Sequence, residues 1–258
     1  MAVWKVPVAG IALMTGLFLS SGAGAVPTLQ VGAPTSGGTC AAGPYLPYTA
    51  SSSSPTEADT ALISNGTICA AGAWGPNTLS LGANGGYSTA NQGALGSAVL
   101  DGHGAVLMVA VSDLVAAAAL QISVGGGPAT NPFATGTTNI FPNNHAPLGV
   151  ADGFLYFDIG SFGDTETVPN FADSSDTADG EMKAIGVTGF GSLDWAHFDL
   201  LAVEETQQGR NTRTAVQNNP GSHDVTWKPD GELPEPGSLA LLGVALAGLW
   251  LLRRPVVG

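Results

Sequence analysis

The chain has 258 residues, of which only 10% are charged, and its 20 acidic side chains outnumber seven lysines and arginines to give a formal charge of −13. Lys5, Arg253 and Arg254 lie at the two ends, so residues 26–236 set Lys183, Arg210, Arg213 and Lys228 alone against all the acids. A body so acidic repels a polyphosphate, which excludes nucleic acid as a partner, and draws counter-cations as a diffuse atmosphere.

Residues 1–25 follow the order of a secretory signal: Lys5, an apolar stretch over 6–19 broken only by Thr15, then small residues. Ala23 and Ala25 fit the small-residue positions of a signal-peptidase site, which predicts cleavage before Val26. The alternative is an uncleaved membrane helix, against which stand the short apolar core and the cleavage site.

Residues 26–59 are rich in Gly, Pro, Ser and Thr and are expected to form an extended, weakly packed segment ahead of a domain over 60–230. Cys40 and Cys69 are the only cysteines of an exported chain and predict one disulfide, which staples that segment to the domain. Closing a loop of this length contributes roughly 3 to 4 kcal/mol in the chain-entropy model. Asn65-Gly66, flanked by Leu62, Ile63 and Ile68, predicts a tight hairpin turn. Asn65-Gly66-Thr67 is also a glycosylation sequon, but the turn is the preferred reading.

The long apolar run 105–124 could span a bilayer by length, but Ser112-Asp113 interrupts it. Val106, Leu107, Val109 and Val111 before the break, and Leu120, Ile122 and Val124 after it, suit two core strands, with a helical turn over 113–119 that Ser112 can cap. Segments 154–159, 184–190, 195–203 and 224–227 are also strand-like, and in the third, alternation sets His197 and Asp199 on one face. Many short β-prone runs between Gly, Pro and Asn clusters predict an all-β, antiparallel β-sandwich.

At the other end, Pro234, Glu235, Pro236 and Gly237 stop any preceding element, and 238–252 is apolar on all sides before Arg253 and Arg254. A helix there covers roughly 22 Å, a short transmembrane anchor. The paired arginines place the C-terminus in the cytoplasm and the domain outside. Pro-Glu-Pro, apolar helix and arginines in that order resemble the PEP-CTERM sorting signal, here over 231–258. The resemblance implies recognition and cutting near the triplet by an exosortase-type transpeptidase, in Gram-negative bacteria that make exopolysaccharide. Only two arginines are present and an apolar 255–258 follows them, a departure that leaves an ordinary tail anchor as the alternative. Segments 141–150, 195–199 and 219–228 are in addition similar to the choice-of-anchor N family, surface proteins with interchangeable anchors and no assigned biochemical activity.

Hard oxygen ligands suit calcium, and Asp173, Asp176, Asp179 and Glu181 form a candidate set in loop-like sequence, although the EF-hand pattern is not met. His103, His145, His197 and His223 lack the His-x-x-x-His and His-Glu-x-x-His spacings of zinc sites and are expected to bond turns and strand ends. No Gly-x-Ser-x-Gly elbow is present. The sequence therefore predicts a non-enzymatic, exported surface or matrix protein, needing no cofactor, first anchored at the inner membrane and then at the surface or outside. Its expected partners are signal peptidase, exosortase and exopolysaccharide. The alternatives are a calcium-assisted carbohydrate-binding module using Trp195 or Trp227, and a secreted polysaccharide hydrolase with a carboxylate pair.

Overall fold

The computed structural model describes residues 25–82, 102–141, 145–174 and 176–229. These are mostly β, in several largely antiparallel sheets. The larger sheet runs β10 (Ala134–Gly136), β11 (Gly153–Gly160), β8 (Ala105–Val111), β14 (Ala196–Gln208), β16 (Val225–Trp227), β5 (Thr56–Ile63) and β4 (Ala50–Ser53). β15 (Asn211–Asn218) and β7 (Thr78–Leu81) pair with the distal part of β14. The smaller sheet runs β1 (Leu29–Gly32), β6 (Thr67–Ala73), β13 (Thr177–Thr188) and β12 (Glu166–Pro169), with β9 (Gln121–Val124) also on β13. β2 (Pro34–Thr39) and β3 (Gly43–Tyr45) form a separate pair.

Period-two alternation decides what faces what. In the larger sheet, Leu107 and Val109 of β8, Leu155 and Phe157 of β11, and Phe198 and Leu200 of β14 meet Leu29, Val31, Ile68 and Ile185 of the smaller sheet in one core. The opposite face of the same strands, with Val106, Met108, Phe154, Tyr156, Leu201 and Val203, is covered by Ile140, Phe141 and Leu148 in a second cluster. β8 is buried along its whole length, and a strand covered on both faces reads as an unbroken apolar run. That is why 105–124 has the composition of a membrane span while β8, a 3-10 turn (Ala116–Ala119) and β9 occupy it. The turn's free N–H groups are capped by Asp113, whose Oδ1 accepts from Val115 and Ala116, and not by Ser112, whose hydroxyl accepts instead from Asp194 and Trp195.

Three expectations are corrected. The segment 26–59 is not weakly packed throughout: Leu29 and Val31 are fully buried, because β1 pairs with β6 and closes the core. Asn65-Gly66 does not close a hairpin, since β5 belongs to the larger sheet and β6 to the smaller, and the chain changes layers there. Glycine is required at 66 by proximity: a Cβ would lie 1.9 Å from the Val187 carbonyl oxygen, whose own N–H donates to the Gly66 carbonyl at 2.6 Å. The larger sheet is not wholly antiparallel either, because β16 runs parallel to β5.

The Cys40–Cys69 disulfide is formed and ties the end of the β2–β3 pair to β6. Among the described residues no helix is long and apolar enough to cross a membrane. The expected anchor over 238–252 and most of the expected signal peptide lie outside the described residues.

Candidate functional site

Beneath the cover on the outer face of the larger sheet, five ionisable side chains from four segments converge. β14 supplies His197 and Asp199, two residues apart and so on one face. Asp224 immediately precedes β16, which pairs with β14 so that His197 lies opposite Thr226. Glu57 comes from β5, and His145 from the segment that precedes the 3-10 turn (Leu148–Val150). His197 and Asp199 have no solvent-accessible side chain, Glu57 and Asp224 are 1% exposed, and His145 reaches 15%.

His197 Nδ1 lies 2.9 Å from Glu57 Oε1 and 2.8 Å from Thr226 Oγ1. The Thr226 hydroxyl donates to Glu57 Oε2 at 2.5 Å. A carboxylate only accepts, so the Nδ1 position carries the hydrogen, and the other ring nitrogen looks inward. That Nε2 is 3.2 Å from Asp199 Oδ2 and 3.2 Å from His145 Nε2. His145 Nε2 lies in turn 3.4 Å from Asp199 Oδ1 and 3.6 Å from Asp224 Oδ2. Asn219, itself buried, holds Asp199 by donating to Oδ1 at 2.9 Å while its own oxygen takes the Leu200 N–H at 2.6 Å. Four ligand-type atoms, one each from His145, His197, Asp199 and Asp224, lie within 4.8 Å of one another.

Three carboxylates and two imidazoles in a dry site cannot all keep their ordinary protonation. Burial works against a charged His197, but the Asp199 charge, the hydrogen bonds to Asp199 and Glu57, and the Asp224 charge outweigh it and raise its pKa well above the usual value. Burial would raise Asp199, yet the charge of His197 and hydrogen bonds from both histidines push it down. For Asp224 burial dominates, the His197 charge offsets it only in part, and repulsion from Asp199 and Glu57 adds, so its pKa rises. Both oxygens of Asp224 are buried without a hydrogen-bond partner, and Asp199 Oδ2 and Glu57 Oε1, equally buried, face only His197. A cluster of this kind can trap protons or hold a cation.

Above it lies a groove of about 540 Å³ lined by Ser54, Pro55, His145, Pro147, Val150 and Trp195. His145 thus joins the buried group to the surface.

The tail is a separate functional element. Residues 232–254 match the PEP-CTERM protein-sorting motif. The PEP-CTERM match takes in Pro234, Glu235, Pro236, Arg253 and Arg254 and marks an exported protein sorted by exosortase to the cell envelope or surface. No curated protein and no solved structure matches the chain.

Of the other sequence-derived residues, Ala25 is exposed, while Ala23 and the five PEP-CTERM residues lie outside the described residues. Asp173, Asp176, Asp179 and Glu181 are spread from a turn into β13, and among the described residues they form no convergent group. Glu181 is occupied, taking Lys183 Nζ at 2.8 Å and the Gly163 N–H at 2.6 Å. Trp195, largely buried, contributes to the wall of the groove, and Trp227 is buried, stacking on Phe190 with ring centres 4.0 Å apart and donating its indole N–H to Ser64 O. His103 and His223 do bond at turns and strand ends, to Asp158 and Asn170. His145 and His197 do not follow that expectation. The local signal for them was His197-x-Asp199 on a strand; nothing in the spacing ties either residue to His145 or Asp224.

Proposed function

We propose that the chain is a non-enzymatic surface or matrix protein whose β-sandwich is displayed outside the inner membrane and released or re-anchored after cutting near Pro234-Glu235-Pro236. The observation that carries this reading is the match of 232–254 to the PEP-CTERM sorting motif. Its placement supports it too, since the tail follows in sequence on β16, the last strand among the described residues. At the other end, Val26, the residue expected to follow the signal-peptidase cut, packs against the core. The apolar stretch 238–252 then holds the precursor in the inner membrane with Arg253 and Arg254 on the cytoplasmic side. Exopolysaccharide is the partner such a destination offers.

Replacing Pro234 and Pro236 together with alanine, followed by cell fractionation and intact-mass measurement, tests the sorting role. The expected result is an unprocessed precursor retained in the inner membrane. Unchanged processing and destination would remove the sorting role.

A further inference from the structure

We propose that His145, His197, Asp199 and Asp224 bind one first-row divalent transition-metal ion of the zinc type, which fastens the covering segment around His145 to the outer face of the larger sheet.

The first argument is the state of Asp224. If ionised, its two buried oxygens need donors; if protonated, its O–H needs an acceptor. Neither oxygen has any hydrogen-bond partner. A metal ion satisfies a carboxylate that has neither. Asp199 is arranged to join it, with Oδ1 held by Asn219 and Oδ2 turned toward His197 Nε2 at 3.2 Å.

The second argument is the orientation of His197. Glu57 and Thr226 hold the hydrogen on Nδ1, so Nε2 faces the other three ligands, where a bound ion takes the place of its proton. A histidine whose outer nitrogen is held by a carboxylate while its inner nitrogen faces the ion is the usual second-shell arrangement of metal-bound imidazole.

Geometry selects the class of ion. Bonds of about 2.0 to 2.1 Å in a tetrahedron separate the ligand atoms by about 3.3 to 3.4 Å. Three of the separations are close to this, 3.2 Å between the two Nε2 atoms, 3.2 Å from His197 Nε2 to Asp199 Oδ2 and 3.6 Å from His145 Nε2 to Asp224 Oδ2, and all four ligand atoms lie within 4.8 Å of one another, so a small contraction closes the shell on an ion. Two imidazoles disfavour calcium and magnesium, which take oxygen ligands in larger number. The ligands come from three places in the chain, β14, the residue before β16 and the 145–150 segment, so one ion cross-links them. His145, at the foot of the groove, is the point of entry.

The test uses the full chain in detergent, stripped with a chelator and titrated separately with Zn²⁺ and Co²⁺. One zinc per chain by elemental analysis is expected, with the intense visible absorption of four-coordinate Co²⁺ and a higher Tm for the loaded protein. Glu57→Gln should weaken zinc binding about 10- to 100-fold through its effect on His197, and His145→Ala should abolish stoichiometric uptake. Asp179→Asn, in the acidic segment of β13, should leave uptake unchanged. His145→Ala is the deciding variant because its side chain lies at the edge of the site; retained β circular dichroism shows that it folds. A folded wild-type chain that takes up no stoichiometric zinc, or His145→Ala binding zinc as tightly as wild type, would overturn the proposal.

Discussion

The two faces of the larger sheet are built from the same strands and differ in what they bury. Toward the smaller sheet, β8, β11 and β14 present Leu107, Val109, Phe157, Phe198 and Leu200 to an apolar core. On the other side, Met108, Phe154, Tyr156 and Leu201 share burial with His197, Asp199, Asp224 and Glu57. Apolar burial stabilises without direction, whereas buried ionisable groups cost free energy unless each is matched. The inner face therefore carries the stability of the fold, and the outer face carries a position-specific arrangement which that stability tolerates.

The sharpest way to break this division is to cut equivalent volume from each side. Leu200→Ala, in the fully buried inner core, is expected to lose about 3 to 5 kcal/mol in urea unfolding. Leu148→Ala, in the outer cover, should lose only about 2 kcal/mol, because a surface-lying segment can settle into the space. Equal losses would mean that the cover is as integral to the core as β14.

Thr226→Val sharpens the comparison by altering chemistry at nearly constant shape. It removes the donor to Glu57 Oε2 and leaves that oxygen buried and bare, and a loss of about 1 to 2 kcal/mol is expected from chemical unfolding of chelator-treated protein. A neutral outcome would show that the outer network carries no structural strain when one member is deleted.

The sequence disclosed these two faces unequally. The strands β8, β11, β14 and β16 stood out because branched and aromatic residues crowd between turn formers, and the disulfide because two cysteines in an exported chain have only each other. β1 did not stand out, since Leu29 and Val31 are two apolar residues in a Gly- and Pro-rich stretch, and only pairing with β6 buries them. Asn65-Gly66 misled because the turn chemistry is real, with Asn65 Oδ1 accepting the Thr67 N–H, while the strands it joins enter different sheets. The outer cluster was the least visible. Ligand spacings such as His-x-x-x-His detect residues on one helical turn, whereas here sequence neighbours contribute only His197 and Asp199. His145 is 52 residues from His197 and arrives through the cover. Acidic clustering, the signal that pointed to Asp173 through Glu181, measures local charge, and charge in a strand such as β13 is dispersed to solvent and to Lys183.

The smallest effect expected separates polar burial from ionisable burial on the outer face itself. Tyr156 packs in the second cluster and donates its hydroxyl to Thr138 O at 3.2 Å. Burial raises its pKa from an ordinary 10 to about 12, so the folded chain keeps a proton that the unfolded chain releases first. Its contribution is therefore complete below pH 10 and is lost as the pH rises from 10 through about 12. At neutral pH, Tyr156→Phe should cost about 1 kcal/mol for the missing hydrogen bond. Unfolding midpoints measured from pH 8 to 12 should then converge, because the variant no longer has this phenol to ionise. Tyr45 and Tyr48 are also shifted upward by burial, so the variant retains part of the alkaline destabilisation, and only the difference between the two curves reports on Tyr156. A constant gap across that range would show that the folded protein holds the Tyr156 proton no more tightly than the unfolded chain does, and that the outer cluster is wetter than its burial implies.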